Sequence, residues 1–127
     1  MAVSNQKFTY PLGKATGDLS AKRYHFVKWT ALETLGQSTD GTSSANAGVL
    51  ENNPTSGQAV AVTVFGETKI TATTGVTVNA LITTNASGRA TLAASGDWAM
   101  GRALEASAAE GDVITCLINP FRCGGAI

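Results

Sequence analysis

Chemistry in this chain would have to rest on few side chains: one histidine, His25, two cysteines, Cys116 and Cys123, and nine acidic residues. A single histidine removes most nucleophilic triads. Two thiols and one imidazole cannot supply the four ligands of a structural zinc site without carboxylates. Glu105, Glu110 and Asp112 are close in sequence, but an acid–base pair would need a cleft that raises one of their pKa values. They read more simply as solvated turn acids. The chain has no Gly-x-Ser-x-Gly, no His-Glu-x-x-His and no phosphate loop ending in Gly-Lys-Ser/Thr. We therefore expect no enzyme activity, no cofactor and no required metal. Cys116 and Cys123 could close a hairpin disulfide only if two strands brought them within bonding distance. A chain made in the cytoplasm favours free thiols.

Binding chemistry has one candidate. Residues 22–29 read Lys-Arg-Tyr-His-Phe-Val-Lys-Trp. The segment is rich in β-branched and aromatic residues, so it predicts a strand. Period 2 would place Tyr24, Phe26 and Lys28 on one face and His25, Val27 and Trp29 on the other. Cations interleaved with aromatics could make a platform for single-stranded nucleic acid. The whole chain, however, has zero formal net charge and a pI near 6.5, whereas nucleic-acid binders usually show a basic excess. Nucleic acid is not expected as a partner. A glycan module built on Trp29 or Trp98 is the companion alternative, but either tryptophan is more often core. His25, half-buried on a strand, reads as structural.

The composition points towards assembly. Charged residues are only 14% and aromatics 6% of the 127 residues, against about a quarter charged in ordinary soluble domains. So few charges suit a surface covered by other subunits. The charge is also uneven. Residues 1–30 hold Lys7, Lys14, Lys22, Arg23 and Lys28 against Asp18, a net +4, and residues 31–127 carry the balancing −4. A basic end and an acidic body can attract head to tail between copies. No apolar run approaches the roughly 18–20 residues that cross a membrane, and the start lacks a signal-peptide apolar region. Synthesis in the cytoplasm, with no membrane partner, is expected.

The elements that would position these residues are short strands. Val60, Val62 and Val64 alternate on one face, Gly66-Glu67 predicts a tight turn, and residues 68–72 predict the returning strand of a hairpin. Residues 79–84 and 89–93 form a second pair around Ala86-Ser87-Gly88. Residues 97–110 have the composition of a helix capped by Asp97 and ended by Gly111, but Gly101 interrupts it. A strand over about 98–105 is expected there, and a last strand from Asp112 to Leu117. Residues 36–46 form a polar, exposed loop, and Gly124 and Gly125 make the tail irregular. The fold class is all-β: a small β-sandwich or barrel of short antiparallel strands with an extended N-terminal arm. Residues 1–20 form the arm and residues 21–127 a single β domain. In the arm, Pro11, Gly13 and Gly17 resist a helix, and Phe8, Tyr10 and Leu12 alternate, so an extended chain puts all three on one side. With Lys7, Pro11 and Lys14 they are the candidate interface.

The centre of the chain is Gly48-Val49-Leu50-Glu51-Asn52-Asn53-Pro54-Thr55-Ser56-Gly57-Gln58-Ala59-Val60. A short apolar strand runs into dense turn punctuation. Pro54 favours an extended Asn53, and Gly57 is a candidate for positive φ. Gly48, Asn53, Pro54 and Gly57 are the expected structural turn residues. This stretch resembles the central signature of the phage capsid decoration, or head cement, proteins. The likeness continues in order through residues 75–90, through Gly101-Arg102-Ala103-Leu104-Glu105-Ala106 and through Gly111-Asp112-Val113-Ile114, about residues 48–118 in all. The likeness supports a strand over 98–105, because there the resembling segment is a strand. The resemblance implies a structural virion protein on the outer capsid surface. It would bind the major coat protein at local three-fold positions, commonly as a homotrimer, and hold neighbouring coat subunits together. A β-domain that binds single-stranded nucleic acid or glycan is the alternative.

Overall fold

The computed structural model describes residues 7–123. Residues 1–6 of the expected arm and the glycines of the tail lie outside them. Nine strands follow in order: β1 (Lys7–Ala15), β2 (Phe26–Ala31), β3 (Thr34–Gln37), β4 (Asn46–Leu50), β5 (Ala59–Ala72), β6 (Leu81–Thr84), β7 (Ala90–Leu92), β8 (Trp98–Ala103) and β9 (Asp112–Arg122). There is no helix among the described residues, and the all-β expectation holds. Residues 98–103 are a strand as expected. There the glycine outweighs helix propensity: a Cβ on Gly101 would fall on the carbonyl of Leu117 in β9.

Every strand belongs to one sheet, ordered β1-β3-β2-β4-β5-β7-β6-β8-β9, with further pairings β1–β5 and β5–β9. Those two pairings close two circuits. One runs β1-β3-β2-β4-β5 and back to β1; the other runs β5-β7-β6-β8-β9 and back to β5. Each circuit has five strands, and five directions cannot alternate all the way round a ring. One neighbouring pair in each must be parallel. The parallel seams are β1–β3, at Lys14↔Thr34 and Ala15↔Leu35, and β5–β7, at Ala72↔Ala90. The expectation of short antiparallel strands is corrected at these two seams.

The two circuits share β5. Its first half pairs with β1 as far as Lys7↔Gly66, and its second half pairs with β9 from Gly66↔Ile118 onward. Gly66 is buried, with φ of 112°, a conformation open to glycine and poorly accessible to other residues. The expected hairpin at Gly66-Glu67 is therefore absent. The glycine relieves a strand that runs on for fourteen residues while it changes partners.

Each circuit encloses a core. Ala15, Val27, Leu35, Leu50, Val60 and Val62 fill the first, with Leu19. Ile70, Ala72, Ile82, Ala90, Met100, Ala103, Ile114, Cys116 and Ile118 fill the second. Phe26 and Val49, from strands of the first circuit, join the second core. In β2 and β4 adjacent residues thus point into different cores, which is why Gly48-Val49-Leu50 is an unbroken buried run. Full burial of each such large side chain contributes about 1.5–3 kcal/mol. Gly48 is needed for contact between strands, since a Cβ there would fall on the carbonyl of Thr63.

The strand expected over residues 22–29 begins only at Phe26. Residues 22–25 form a turn, with His25 N–H donating to the Lys22 carbonyl at 3.0 Å and Tyr24 at φ 64°. This turn ties the circuits together: Tyr24 N–H donates to Leu50 O (2.7 Å), and Thr71 N–H donates to Tyr24 O (2.7 Å).

Two glycine substitutions separate backbone conformation from close contact. Gly57 has φ of 82° and open space where a Cβ would sit, so Gly57→Ala should cost only about 1 kcal/mol of backbone strain. Gly101→Ala should cost more, about 2–4 kcal/mol, because β8 must move off β9. Urea denaturation of both variants checks the order; equal midpoints would contradict the close β8–β9 contact.

Candidate functional site

The residues that could do chemistry are scattered. His25 is buried, with Nδ1 3.2 Å from the Arg23 carbonyl oxygen. Burial, the largest cause, holds its pKa below the ordinary imidazole value, with Lys22 and Arg89 adding to the depression. The three carboxylates near the end of the chain have separate structural tasks. Glu105 accepts from Thr115 N–H at 2.7 Å, Glu110 pairs with Arg89 at 2.7 Å, and Asp112 accepts from Ala108 and Ala109 N–H at 2.8 and 2.9 Å. Those hydrogen bonds lower the pKa values of Glu105 and Asp112, the opposite of what a general acid needs. No group of three or more His, Cys, Asp or Glu side chains is placed to hold a metal ion among the described residues. Cys116 lies within β9 and Cys123 just beyond it, on the same run of chain, and both are free. The basic–aromatic platform is also not assembled. Its first four residues are a turn, Phe26 and Val27 are fully buried, and Arg23 stacks on the Tyr24 ring at 4.7 Å.

The surface is more informative. Residues 7–15 of the expected arm lie along β5 of their own chain. Lys7 Nζ reaches Glu51 Oε1 at 2.9 Å, the Thr9 and Thr63 hydroxyls meet at 2.9 Å, and the Phe8 ring packs on Phe65 with centroids 6.1 Å apart. Glu51 is a hub. Its side chain is only 9% exposed, and it also accepts from Thr63 Oγ1 at 2.8 Å and from Thr68 Oγ1. It joins β1 to β5 on both sides of Gly66.

Tyr10, opposite Val62, is exposed. Pro11, Leu12 and Lys14, with Gly13, Glu33 and Ala59, line a broad groove of about 340 Å³ at the far end of β1. The central turn is tied to the end of β1 and to the segment after it: Gly57 N–H donates to Ala15 O (2.9 Å), Leu19 N–H donates to Pro54 O (2.9 Å), and Asn53 Nδ2 donates to Ser20 O (2.9 Å). Gly48 lies apart from this turn, on β4.

Sequence reasoning missed part of the exposed apolar surface. Phe65, Leu117 and Phe121 are exposed. Phe65 touches Phe8, Leu117 is paired with Glu67 two residues beyond Phe65, and Leu117 and Phe121 border one cleft with Leu81 and Arg102. Phe8, Phe65, Leu117 and Phe121 are exposed apolar residues on neighbouring stretches of β1, β5 and β9, with Glu67, Arg102 and Asn119 among them. The signal was present in phase. Phe65 is out of step with Val60, Val62 and Val64, and Leu117 and Phe121 are out of step with the buried Ile114, Cys116 and Ile118.

Two measurements check this account of the titrating groups. Burial, then Glu51 and Glu67, push the Cys116 thiol up to about 12, so a thiol reagent at neutral pH should modify Cys123 in the native protein and Cys116 only after unfolding. Because the folded-state pKa of His25 is depressed, its neutral form adds stability that is fully present above the ordinary value of 6.5 and is lost as pH falls through the folded value. Calorimetry between about pH 7 and pH 5 should show Tm falling, and His25→Gln should flatten that slope.

Comparison with known proteins places the chain. No curated protein matches it in sequence. Among solved structures, the head fiber gp8.5 N base of bacteriophage phi29 has a similar fold, with a TM-score of 0.67 at 17% identity, covering 91% of this chain and 95% of that one. The family model described as phage cement protein matches residues 6–119. That match takes in both circuits and nearly the whole chain, and the protein belongs to the phage cement protein family, structural proteins of the phage capsid.

Proposed function

We propose that the protein binds the outside of the capsid at local three-fold positions as a homotrimer, and that it cements neighbouring coat subunits. The observation that carries this reading is the exposed apolar set of Phe8, Phe65, Leu117 and Phe121 on the β1–β5–β9 face of a chain with few charges. Strand β1 supplies Phe8 to it, and Tyr10, two residues on, is exposed as well. Each large side chain buried against coat contributes about 1.5–3 kcal/mol before ordering costs, and three linked copies multiply modest contacts through effective concentration. The face lies on paired strands, so little chain must be ordered when it docks. The phi29 structure is named as the base of a head fiber, which suits a fold seated on a phage head.

The test is occupancy on expanded heads. Phe65→Asp/Leu117→Asp changes two exposed side chains and should leave the fold intact by circular dichroism. It should lower occupancy at least about tenfold, as loss of two buried anchors implies. Phe8→Ala/Tyr10→Ala should weaken binding in the same direction. Heads decorated at parental levels by both double variants would overturn the assignment of this face.

A further inference from the structure

The exposed surface has a second apolar feature, at the opposite end of β1 from the Phe8–Phe65 contact. Strands β2 and β3 are joined by Leu32 and Glu33 alone, with Ala31↔Thr34 the last pair. Leu32 is 90% exposed, more than any other large hydrophobic residue among those described. Neither residue is one that a two-residue turn favours; Asn, Asp and Gly are usual there. Glu33 holds a left-handed φ of 59°, which costs a residue with a Cβ about 1–3 kcal/mol. A strained turn that carries an unprotected leucine needs a reason beyond reversing the chain.

Directly beside this knob lies the broad groove of Pro11, Leu12, Gly13, Lys14, Glu33 and Ala59. Gly13 lets β1 approach the turn closely, since a Cβ there would meet the Glu33 carbonyl. The groove is mainly apolar and has one cation and one anion. Lys14 N–H donates to the Glu33 carbonyl at 2.9 Å, but neither the Lys14 ammonium nor the Glu33 carboxylate has an ionic partner among the described residues. Knob and groove are thus both apolar, and the groove carries one charge of each sign, so a second copy can offer Glu33 to Lys14 and Lys14 to Glu33. They are adjacent on one tip, and the exposure of Leu32 shows that the chain does not fill its own groove.

We propose that this tip is the self-association site: Leu32 of one copy enters the groove of the next, where Lys14 and Glu33 pair between copies. The inference rests on the homotrimer in the proposed function and gives that homotrimer a contact. A knob and groove on different patches make a head-to-tail interface, which closes into a ring when the rotation returns to its start. Because the two patches touch on one tip, the ring axis passes near that tip. The Phe8–Phe65 face, at the other end of β1, stays free for coat.

The experiment is sedimentation of the purified full chain over a range of concentrations, alongside occupancy on expanded heads. The parent should form a trimer. Leu32→Asp should sediment as a monomer with an unchanged circular dichroism spectrum and melting midpoint. Lys14→Glu and Glu33→Lys should each weaken association at least about tenfold, because each places like charges together, and the double reversal should restore most of it. Identical sedimentation of parent and Leu32→Asp would overturn the proposal, as would a double reversal no better than either single change. A Leu32→Asp protein that stays trimeric but leaves the heads bare would mean that the tip faces coat, and also overturns it. A parent that decorates heads while remaining a monomer at every concentration sinks this inference and leaves the cementing role standing. A parent that trimerises through the tip but never binds heads sinks the cementing role alone.

Discussion

The structure depends on β5 keeping its hydrogen bonds while it changes neighbours. An extended strand that left one partner before gaining the next would expose peptide groups inside the protein, at a cost comparable to a lost hydrogen bond for each. Here one edge passes from β4, last paired at Val49↔Thr63, to β9, first paired at Gly66↔Ile118, while on the other edge β1 ends at Lys7↔Gly66 and β7 pairs at Ala72↔Ala90. The parallel seams, the shared wall between the cores and the course of β1 all follow from a strand that serves two five-membered circuits.

Glu51 supports that exchange from the side. Its carboxylate joins Lys7, Thr63 and Thr68, which lie on both sides of Gly66. Burying a carboxylate is costly unless its lone pairs are engaged, and here one ammonium and two hydroxyls engage them. The network fixes the start of β1 on β5, and so fixes Phe8 against Phe65. The polar hub and the apolar contact are two sides of one joint.

Much of this was legible in the sequence, and the failures have physical causes. Alternation in residues 60–65 placed Val60 and Val62 in a core, and the glycine at 101 correctly outweighed the helix propensity around it. The Gly66-Glu67 turn was misread because a glycine that reverses a chain and one that lets a long strand change partners carry the same local signal. The start of β2 was misplaced because Tyr24, a residue with high strand propensity, is held at positive φ by bonds to Leu50 and Thr71, distant in sequence. The parallel seams follow from the number of strands in a closed ring, which no local pattern encodes. Among the candidate interface residues, the alternation of Phe8 and Tyr10 was readable. Phe65, the partner of Phe8, was readable only as a residue out of phase, and Glu51 not at all, since its role needs three distant segments.

The sharing of β5 also bears on how the chain reaches its native state. β1 cannot pair with β5 until some fifty residues have intervened, and β5 in turn waits for β9 near the end of the chain. Such distant pairings have high contact order, and chains of this kind fold slowly because loop-closure entropy is lost before contacts compensate it. A first circuit formed alone would also leave Phe26 and Val49 in water, since both are buried only by the second core. The half-made state therefore lacks a finished surface. The two circuits are expected to fold and melt as one cooperative unit, and each copy that reaches a capsid arrives complete.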